Sequence, residues 1–210
     1  EQHGNTNSAR KTADSITRED LVMPTTQIAA TTGQAYTYLG CLGRAAGAVG
    51  EAFAVPMDVV RGAGDTIYVL NWGYSFTGTN TTHVTKCTLD HKWITDFGGR
   101  GSGDGEFLWP GSLALDSKEN VYVTDQAIHK VVIFDKDGNF LGKWGTFGSG
   151  EGHFNMPSGI VFDLNDNVYV SDTCNHRIQK YTKDGVFQNQ WGGEGSEKGQ
   201  FHLPWGITLD

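Results

Sequence analysis

The chain has 210 residues, of which 29 are glycine, 38% are hydrophobic and 11% are aromatic. This length suits one sizeable domain with its own core and a tail. No apolar run approaches the roughly 18 residues that a membrane-spanning helix needs, so we expect a soluble protein with no membrane contact. The formal net charge is -8, which disfavours nucleic acid as a partner because an acidic surface repels phosphates.

The N-terminal segment is polar and has no apolar stretch of its own. Its opening residues, EQHGNTNSARKTADSITRED, lack the core of a signal peptide and therefore assign no compartment. We expect residues 1–34 to form a flexible extension and residues 35–210 to form the folded domain.

An internal repeat dominates the folded domain. Residues 105–145 align without a gap to residues 152–192, at a spacing of 47 residues. The identical pairs are Phe107 and Phe154, Pro110 and Pro157, Asp116 and Asp163, Asn120 and Asn167, Tyr122 and Tyr169, Asp125 and Asp172, His129 and His176, Asp137 and Asp184, Gly138 and Gly185, and Trp144 and Trp191. Such a period indicates a repeat architecture.

The repeat continues in both directions. Downstream, Phe201, Pro204 and Asp210 keep the same spacing. Upstream, the spacing holds as far as Val84 and then changes to 54 residues for the segment that ends at Asn71. Seven extra residues therefore lie between Asn71 and Val84.

Each repeat reads as four short strands separated by turns. In one repeat the strands are SLALD, NVYVTD, HKVVIFD and FLGKW, rich in β-branched and aromatic residues. Asp-Gly pairs at 137–138 and 184–185 predict tight hairpins, because glycine accepts a positive φ. Four antiparallel strands in 40 to 50 residues are typical of a propeller blade.

We therefore predict an all-β propeller with four-stranded antiparallel blades. In chain order, its parts are a leading fourth strand and loop at 35–49, blades at 50–98, 99–145 and 146–192, and the first strand of a further blade at 193–210. The leading strand AYTYLG resembles the fourth strand of a blade, but the first three strands of that blade do not precede it. This arrangement occurs in propellers whose N-terminal strand completes the last blade.

The segment NHRIQKY, preceded by GHFNMPSGIVFDLNDNVYVSD, resembles the NHL repeat. The resemblance extends over residues 35–210. The Asn-His-Leu triplet of that family corresponds to Asn-His-Arg at 175–177, Ile-His-Lys at 128–130 and Thr-His at 82–83. The resemblance implies a six-bladed propeller, so we expect this chain to be part of a longer one.

Repetition favours structural roles for one set of polar residues. An Asp that ends the second strand can accept backbone amides of a nearby loop, and a His that opens the third strand can bridge to that Asp or to the next blade. The set comprises Asp125, His129, Asp172, His176 and Arg177.

Cys174 stands between Asp172 and His176 and could be taken for a nucleophile with a base and its orienting acid. It aligns with Ala127, however, which favours a small, half-buried packing residue. The other cysteines, Cys41 and Cys87, are distant and form no CxxC pair, so neither a disulfide framework nor a zinc knuckle is indicated.

A binding face is predicted where the loops between second and third strands meet the loops between blades. The seven-residue insertion falls there and carries Trp72, Tyr74 and Phe76, which are either interface anchors or a small core beneath their own loop.

The two residues after each of the four repeated prolines, Pro56, Pro110, Pro157 and Pro204, should line the mouth of the central channel. They are Met57 and Asp58, Gly111 and Ser112, Ser158 and Gly159, and Trp205 and Gly206. Asp58 could contact a ligand or cation, or be a hydrogen-bonded turn residue. Trp109, Met156 and Leu203, which precede the prolines, are expected to pack between blades. The predicted ligand-binding face thus comprises Trp72, Tyr74, Phe76, Asp58 and Trp205.

We expect a non-catalytic scaffold that presents this face to a protein or small ligand and needs no cofactor. One alternative is an enzyme, because TDQAIHKVVIF and VSDTCNHRI resemble peptidyl-hydroxyglycine amidating lyases. That resemblance implies zinc, or calcium, in the central channel, with His129 as a candidate ligand. Trp205 stands where the family has another histidine, and Thr173 and its neighbours include no tyrosine before Cys174, near which the family has one. RNA binding, which occurs in some NHL domains of tripartite-motif ubiquitin ligases, is opposed by the acidic charge.

Overall fold

A computed structural model describes residues 28–29, 35–36, 53, 55–73, 82–90 and 92–210. The chain divides into two units, residues 1–42 and 43–210. In the first unit, β1 (Ile28–Ala29) pairs antiparallel with β2 (Ala35–Tyr36). The predicted place of the segment that begins at Ala35, as the closing strand of a blade, stays a prediction.

The described residues of the second unit form three four-stranded antiparallel sheets, each a meander in chain order. The first contains β3 (Pro56–Arg61), β4 (Thr66–Asn71), β5 (His83–Thr88) and β6 (Trp93–Phe97). The second contains β7 (Pro110–Leu115), β8 (Val121–Asp125), β9 (Lys130–Phe134) and β10 (Phe140–Trp144). The third contains β11 (Pro157–Phe162), β12 (Asn167–Asp172), β13 (Arg177–Thr182) and β14 (Phe187–Gly192), with a one-turn 3-10 helix at Thr173–Asn175.

The sheets are arranged as blades around a common axis. Strand β7 contacts both β3 and β11, so the first strand of each sheet faces the first strand of the next. The loops between blades also repeat, because Arg100 bridges Phe107, Phe147 bridges Phe154 and Glu194 bridges Phe201, each in parallel. The prediction of an all-β propeller with four-stranded blades is confirmed.

Two apolar cores separate the three blades. Val121 and Val123 of β8 lie in the core shared with the first blade, and Tyr122 lies in the core shared with the third. Strand β9 divides in the same way, with Val132 and Val131 on opposite sides, because successive side chains point to opposite faces of a strand. A blade buried on both faces therefore needs continuous apolar runs such as VYV and VVIF.

The hairpin glycines are required by their packing as well as by their backbone. Gly138 and Gly185 have φ values of 89° and 82°. A Cβ on Gly138 would lie 2.7 Å from Phe97, and one on Gly185 would lie 2.6 Å from Trp144. Each turn between third and fourth strands therefore packs against the aromatic residue that ends the preceding blade.

Residues 204–210 form no strand in the described structure. A first strand needs a second strand beside it, so the predicted place of this segment in a further blade stays a prediction. Within the part of the chain that the structure describes, no helix has the length and apolar character to cross a membrane.

Candidate ligand-binding face

A cleft of about 230 Å³ lies where the first strands of the blades begin. Its lining consists of Met57, Asp58, Gly111, Ser112, Ser158, Gly159, Trp205, Gly206 and Ile207. The structure thus brings together all four pairs of residues that follow the prolines. Ile207 is the one lining residue outside those pairs. It directly follows Gly206, so extending that pair by one position in the sequence would have included it.

A backbone irregularity turns these residues toward the cleft. Pro56 pairs with Asn71 and Asp58 with Leu70, so Met57 has no opposite partner. The register shifts in the same way after Pro110 and after Pro157. Proline suits the first position of a strand because it has no amide to donate, and a bulge after it re-aims the side chains that follow.

Asp58 ties the first blade to the second. One oxygen of its carboxylate accepts hydrogen bonds from Ser112 Oγ at 2.5 Å and from the Leu113 amide at 3.0 Å. Its other oxygen accepts the Val59 amide at 2.8 Å. The side chain is therefore a hydrogen-bonded acceptor between β3 and β7, and its contact with a ligand or cation stays a prediction.

Hydroxyl groups tie the third blade to the segment that follows it. Ser158 Oγ donates to the Trp205 carbonyl at 2.9 Å, and Thr173 Oγ1 donates to the Pro204 carbonyl at 2.8 Å. Gly159 permits this approach, since a Cβ there would lie 2.6 Å from the Trp205 carbonyl oxygen. The backbone of Trp205 is thus held in place while 53% of the residue stays exposed at the cleft.

A stacked tryptophan pair lies at the same end of the blades. The Trp72 and Trp109 rings have centroids 5.8 Å apart and planes 10° from parallel. Trp109 does pack between blades, as expected from its place before Pro110, yet it is 41% exposed. The sequence contains no signal for this exposure, because the contact with Trp72 joins residues 37 positions apart. Tyr74 and Phe76 lie outside the described residues.

Asp125 is fully buried and organises the corner after β8. One of its oxygens accepts the Leu108 amide at 2.6 Å, and the Trp109 amide donates to both oxygens at 3.1 and 3.2 Å. The amides of Ala127 and Ile128 donate to the carboxylate at 2.9 and 3.2 Å. Backbone amides of two loops therefore satisfy this carboxylate.

Asp172 occupies the same corner of the third blade and is also fully buried. It accepts the Asn155 amide at 2.7 Å, but its other oxygen binds side chains, including Arg177 Nε at 2.8 Å and Gln179 Nε2 at 2.9 Å.

The two terminal nitrogens of Arg177 donate to the carbonyls of Ser149, Gly150 and His153 and to Gln190 Oε1, at 2.7 to 2.9 Å. All five donors of the guanidinium therefore have partners within its own blade and the loop before it.

The two repeated histidines link neighbouring segments. His129 Nδ1 accepts the Met156 amide at 3.1 Å, and His176 Nδ1 accepts the Leu203 amide at 3.2 Å. The His129 ring also packs on Phe147, with centroids 4.7 Å apart. Burial lowers the pKa of His129, and the charges of Asp125 and Asp172 oppose this effect. Both rings bind the loop that enters the next repeat.

Cys174 packs as a small side chain. Its Sγ lies 3.5 Å from Met156 Sδ, and its amide donates to the Asn155 carbonyl at 3.0 Å. Cys87 is buried in the first blade, where burial, followed by the charge of Asp96, raises the pKa of its thiol. A raised pKa keeps this thiol protonated and unreactive.

The cleft does not fit the channel metal that the lyase resemblance implies. Among its described lining residues, Asp58 is the one carboxylate and there is no histidine. Among the residues that the structure describes, His129 belongs to no group of three metal-ligating side chains. The described residues do contain one such group, His176, Glu194 and His202, none of which lines the cleft.

Comparison with known sequences gives two matches. A family model described as "NHL repeat" matches residues 154–181. Protein lin-41 of Caenorhabditis elegans is 48% identical over 50 residues, which are 24% of this chain and 4% of that protein.

Comparison with solved structures shows the same fold. A virginiamycin B lyase from Staphylococcus aureus, an inactive variant with quinupristin, has a TM-score of 0.51 at 19% identity over 73% of this chain and 45% of the lyase. A gluconolactonase from Xanthomonas campestris has a TM-score of 0.52 at 15% identity over 87% of this chain and 57% of that enzyme. The chain thus spans about half the length of these structures. With its repeats, its blades and these matches, the chain has the β-propeller fold and is similar to the NHL repeat over residues 154–181.

Proposed function

We propose that this protein is a non-catalytic binding scaffold whose loop face holds a protein or other ligand. The observation that carries the proposal is the convergence of the residues after the four repeated prolines on one cleft, with exposed tryptophans beside it. The repeated polar residues that resemble catalytic groups are engaged in hydrogen bonds between strands and loops.

The cleft is built on a rigid frame. Asp58 fixes the first blade to the second, and Ser158 fixes the third blade to the backbone at Trp205. Thr124 Oγ1 donates to the Ser158 carbonyl and thereby joins the second blade to the third. A site whose walls are already fixed loses little conformational entropy when a ligand binds.

The chemistry of the face favours a ligand that combines apolar groups with hydrogen-bonding groups. Trp205, at 53% exposure, and Trp109, at 41%, offer large planar surfaces, which often act as anchors in interfaces. The lining polar groups are short and include the half-buried Asp58 and Ser112. A peptide segment with an aromatic or aliphatic side chain fits this description, whereas a polyphosphate does not suit a chain of net charge -8.

The test is a selection of peptide ligands from a random phage-displayed library on the immobilised protein. Trp205→Ala and Trp109→Ala should each weaken the selected peptides by roughly tenfold or more, which corresponds to about 1.4 kcal/mol or more. Leu164→Ala is the matched control, because Leu164 is fully exposed in the turn after β11, at the opposite end of the third blade. Circular dichroism checks that each variant is folded.

Equal peptide affinities for the wild type, Trp205→Ala and Trp109→Ala would place the binding surface elsewhere. A greater loss with Leu164→Ala would assign it to the opposite end of the blades. In either case, the cleft would be a structural feature of the propeller axis.

A further inference from the structure

A cluster of three metal-ligating side chains lies away from the cleft. His176 belongs to the corner before β13, and Glu194 and His202 belong to the loop that follows β14. Their ligand atoms all lie within 4.8 Å of one another. The rings of His176 and His202 have centroids 5.4 Å apart, and Glu194 and His202 are exposed.

The preceding repeat shows that this cluster is not part of the common scaffold. At a spacing of 47 residues, His176 corresponds to His129, but Glu194 corresponds to Phe147 and His202 corresponds to Asn155. There the histidine ring packs on Phe147 instead. The third blade therefore keeps the structural histidine and replaces both of its neighbours with metal-ligating residues.

We propose that His176, Glu194 and His202 form a binding site for a divalent metal ion of the zinc class. Two imidazoles and one carboxylate are a donor set that zinc accepts, with water in the fourth position. Ligand atoms around a tetrahedral zinc lie roughly 3.3 to 3.6 Å apart, given bonds of about 2.0 to 2.2 Å. Since Glu194 and His202 are exposed, their side chains can turn to close the remaining distance.

Metal binding replaces one link between the corner before β13 and the loop after β14 with another. The hydrogen bond from Leu203 to His176 is lost, and the metal connects the two segments instead. In the structure the Leu203 amide donates to His176 Nδ1, which places the proton of a neutral ring on Nε2. When Nε2 binds the metal, the proton moves to Nδ1 and the Leu203 amide loses its acceptor. The metal then joins the same two segments through Glu194 and His202, and so fixes the loop that leads to Trp205.

The test is isothermal titration calorimetry of the tag-free protein with zinc chloride. The wild type should bind one equivalent. His202→Asn and Glu194→Phe introduce the residues that the preceding repeat carries at these positions, so both should fold. Each should weaken zinc binding by at least about tenfold, as expected for the loss of a ligand. His153→Asn is the control, since His153 lies outside the cluster, and its zinc affinity should equal that of the wild type.

Two further measurements report on the site itself. Cobalt added in place of zinc should give the visible absorption of a tetrahedral site in the wild type and not in His202→Asn. The amide signal of Leu203 in a nitrogen-proton correlation spectrum should shift when zinc is added. Zinc affinity that is equal in the wild type, His202→Asn and Glu194→Phe would overturn the proposal, and so would a wild type that binds no zinc.

A transplant tests whether these three positions are sufficient. Phe147→Glu combined with Asn155→His places the same residue types around His129. A second equivalent of zinc in this double variant supports the assignment, whereas a single equivalent overturns the claim that the three positions make the site.

Discussion

The corners of the second and third blades begin with the same aspartate and differ in what satisfies it. Asp125 accepts backbone amides alone, whereas one oxygen of Asp172 is occupied by side chains, chiefly Arg177. Lys130, which aligns with Arg177, instead donates to the Gly145 carbonyl at 2.8 Å. A repeated residue thus keeps its place in the fold while its bonding partners change from one blade to the next.

The sharpest test of this difference is the removal of the two basic side chains, Arg177 and Lys130. Arg177→Ala should lower the free energy of unfolding by about 3 to 5 kcal/mol, because it leaves the buried Asp172 carboxylate without its ion pair and several loop carbonyls without donors. Lys130→Ala should cost only about 1 kcal/mol, since it removes a single hydrogen bond. Urea unfolding monitored by tryptophan fluorescence measures both values.

Arg177→Lys is the matched control for this comparison, because it gives the third blade the cation of the second. A lysine cannot reproduce the fork of five donors, so we expect a loss between those of the two alanine variants. Equal losses for Arg177→Ala and Lys130→Ala would show that the two corners are energetically equivalent despite their different bonds.

The repeat also explains which features could be predicted from the sequence. Strand order, the hairpin glycines and the residues after the prolines depend on positions that recur, so one blade is a template for the next. The fork of Arg177 depends on where the carbonyls of residues 149–153 point, which no residue type encodes. The stack of Trp72 on Trp109 depends on an insertion that breaks the repeat.

The cluster of His176, Glu194 and His202 was missed for a related reason. Its members lie on either side of β13 and β14 and meet because the loop after β14 turns back at the parallel bridge between Glu194 and Phe201. The sequence does contain a signal for the cluster, but it lies in the differences between repeats. Glu194 and His202 replace Phe147 and Asn155 of the preceding repeat.

Substitution of the hairpin glycines should lower the stability of the second and third blades equally, because both glycines pack against an aromatic side chain in the same way. Gly138→Ala and Gly185→Ala should each lower the free energy of unfolding by about 1 to 3 kcal/mol, because both force an L residue into a positive φ and press a Cβ onto Phe97 or Trp144. The losses should agree closely between the two sites, as measured by urea unfolding.

Gly142→Ala is the control, because a Cβ at Gly142 meets no atom within 4 Å and Gly142 is not among the glycines with positive φ. A loss at Gly142 equal to that at Gly138 would mean that glycine content in general, and not the contact between turn and blade, determines the effect.

The smallest expected effect is the pH dependence that His129 gives to the stability of the second blade. Burial lowers the pKa of His129 below the ordinary value of 6.5, so the unfolded chain binds a proton more readily than the folded protein. The stability that follows from the neutral ring is complete above pH 6.5 and is lost as the pH falls from 6.5 toward the lower folded value. His129→Gln should therefore reduce the loss of unfolding free energy between pH 7.5 and pH 5.5, as measured by urea unfolding at each pH. A pH dependence that is unchanged in His129→Gln would mean that another group carries it.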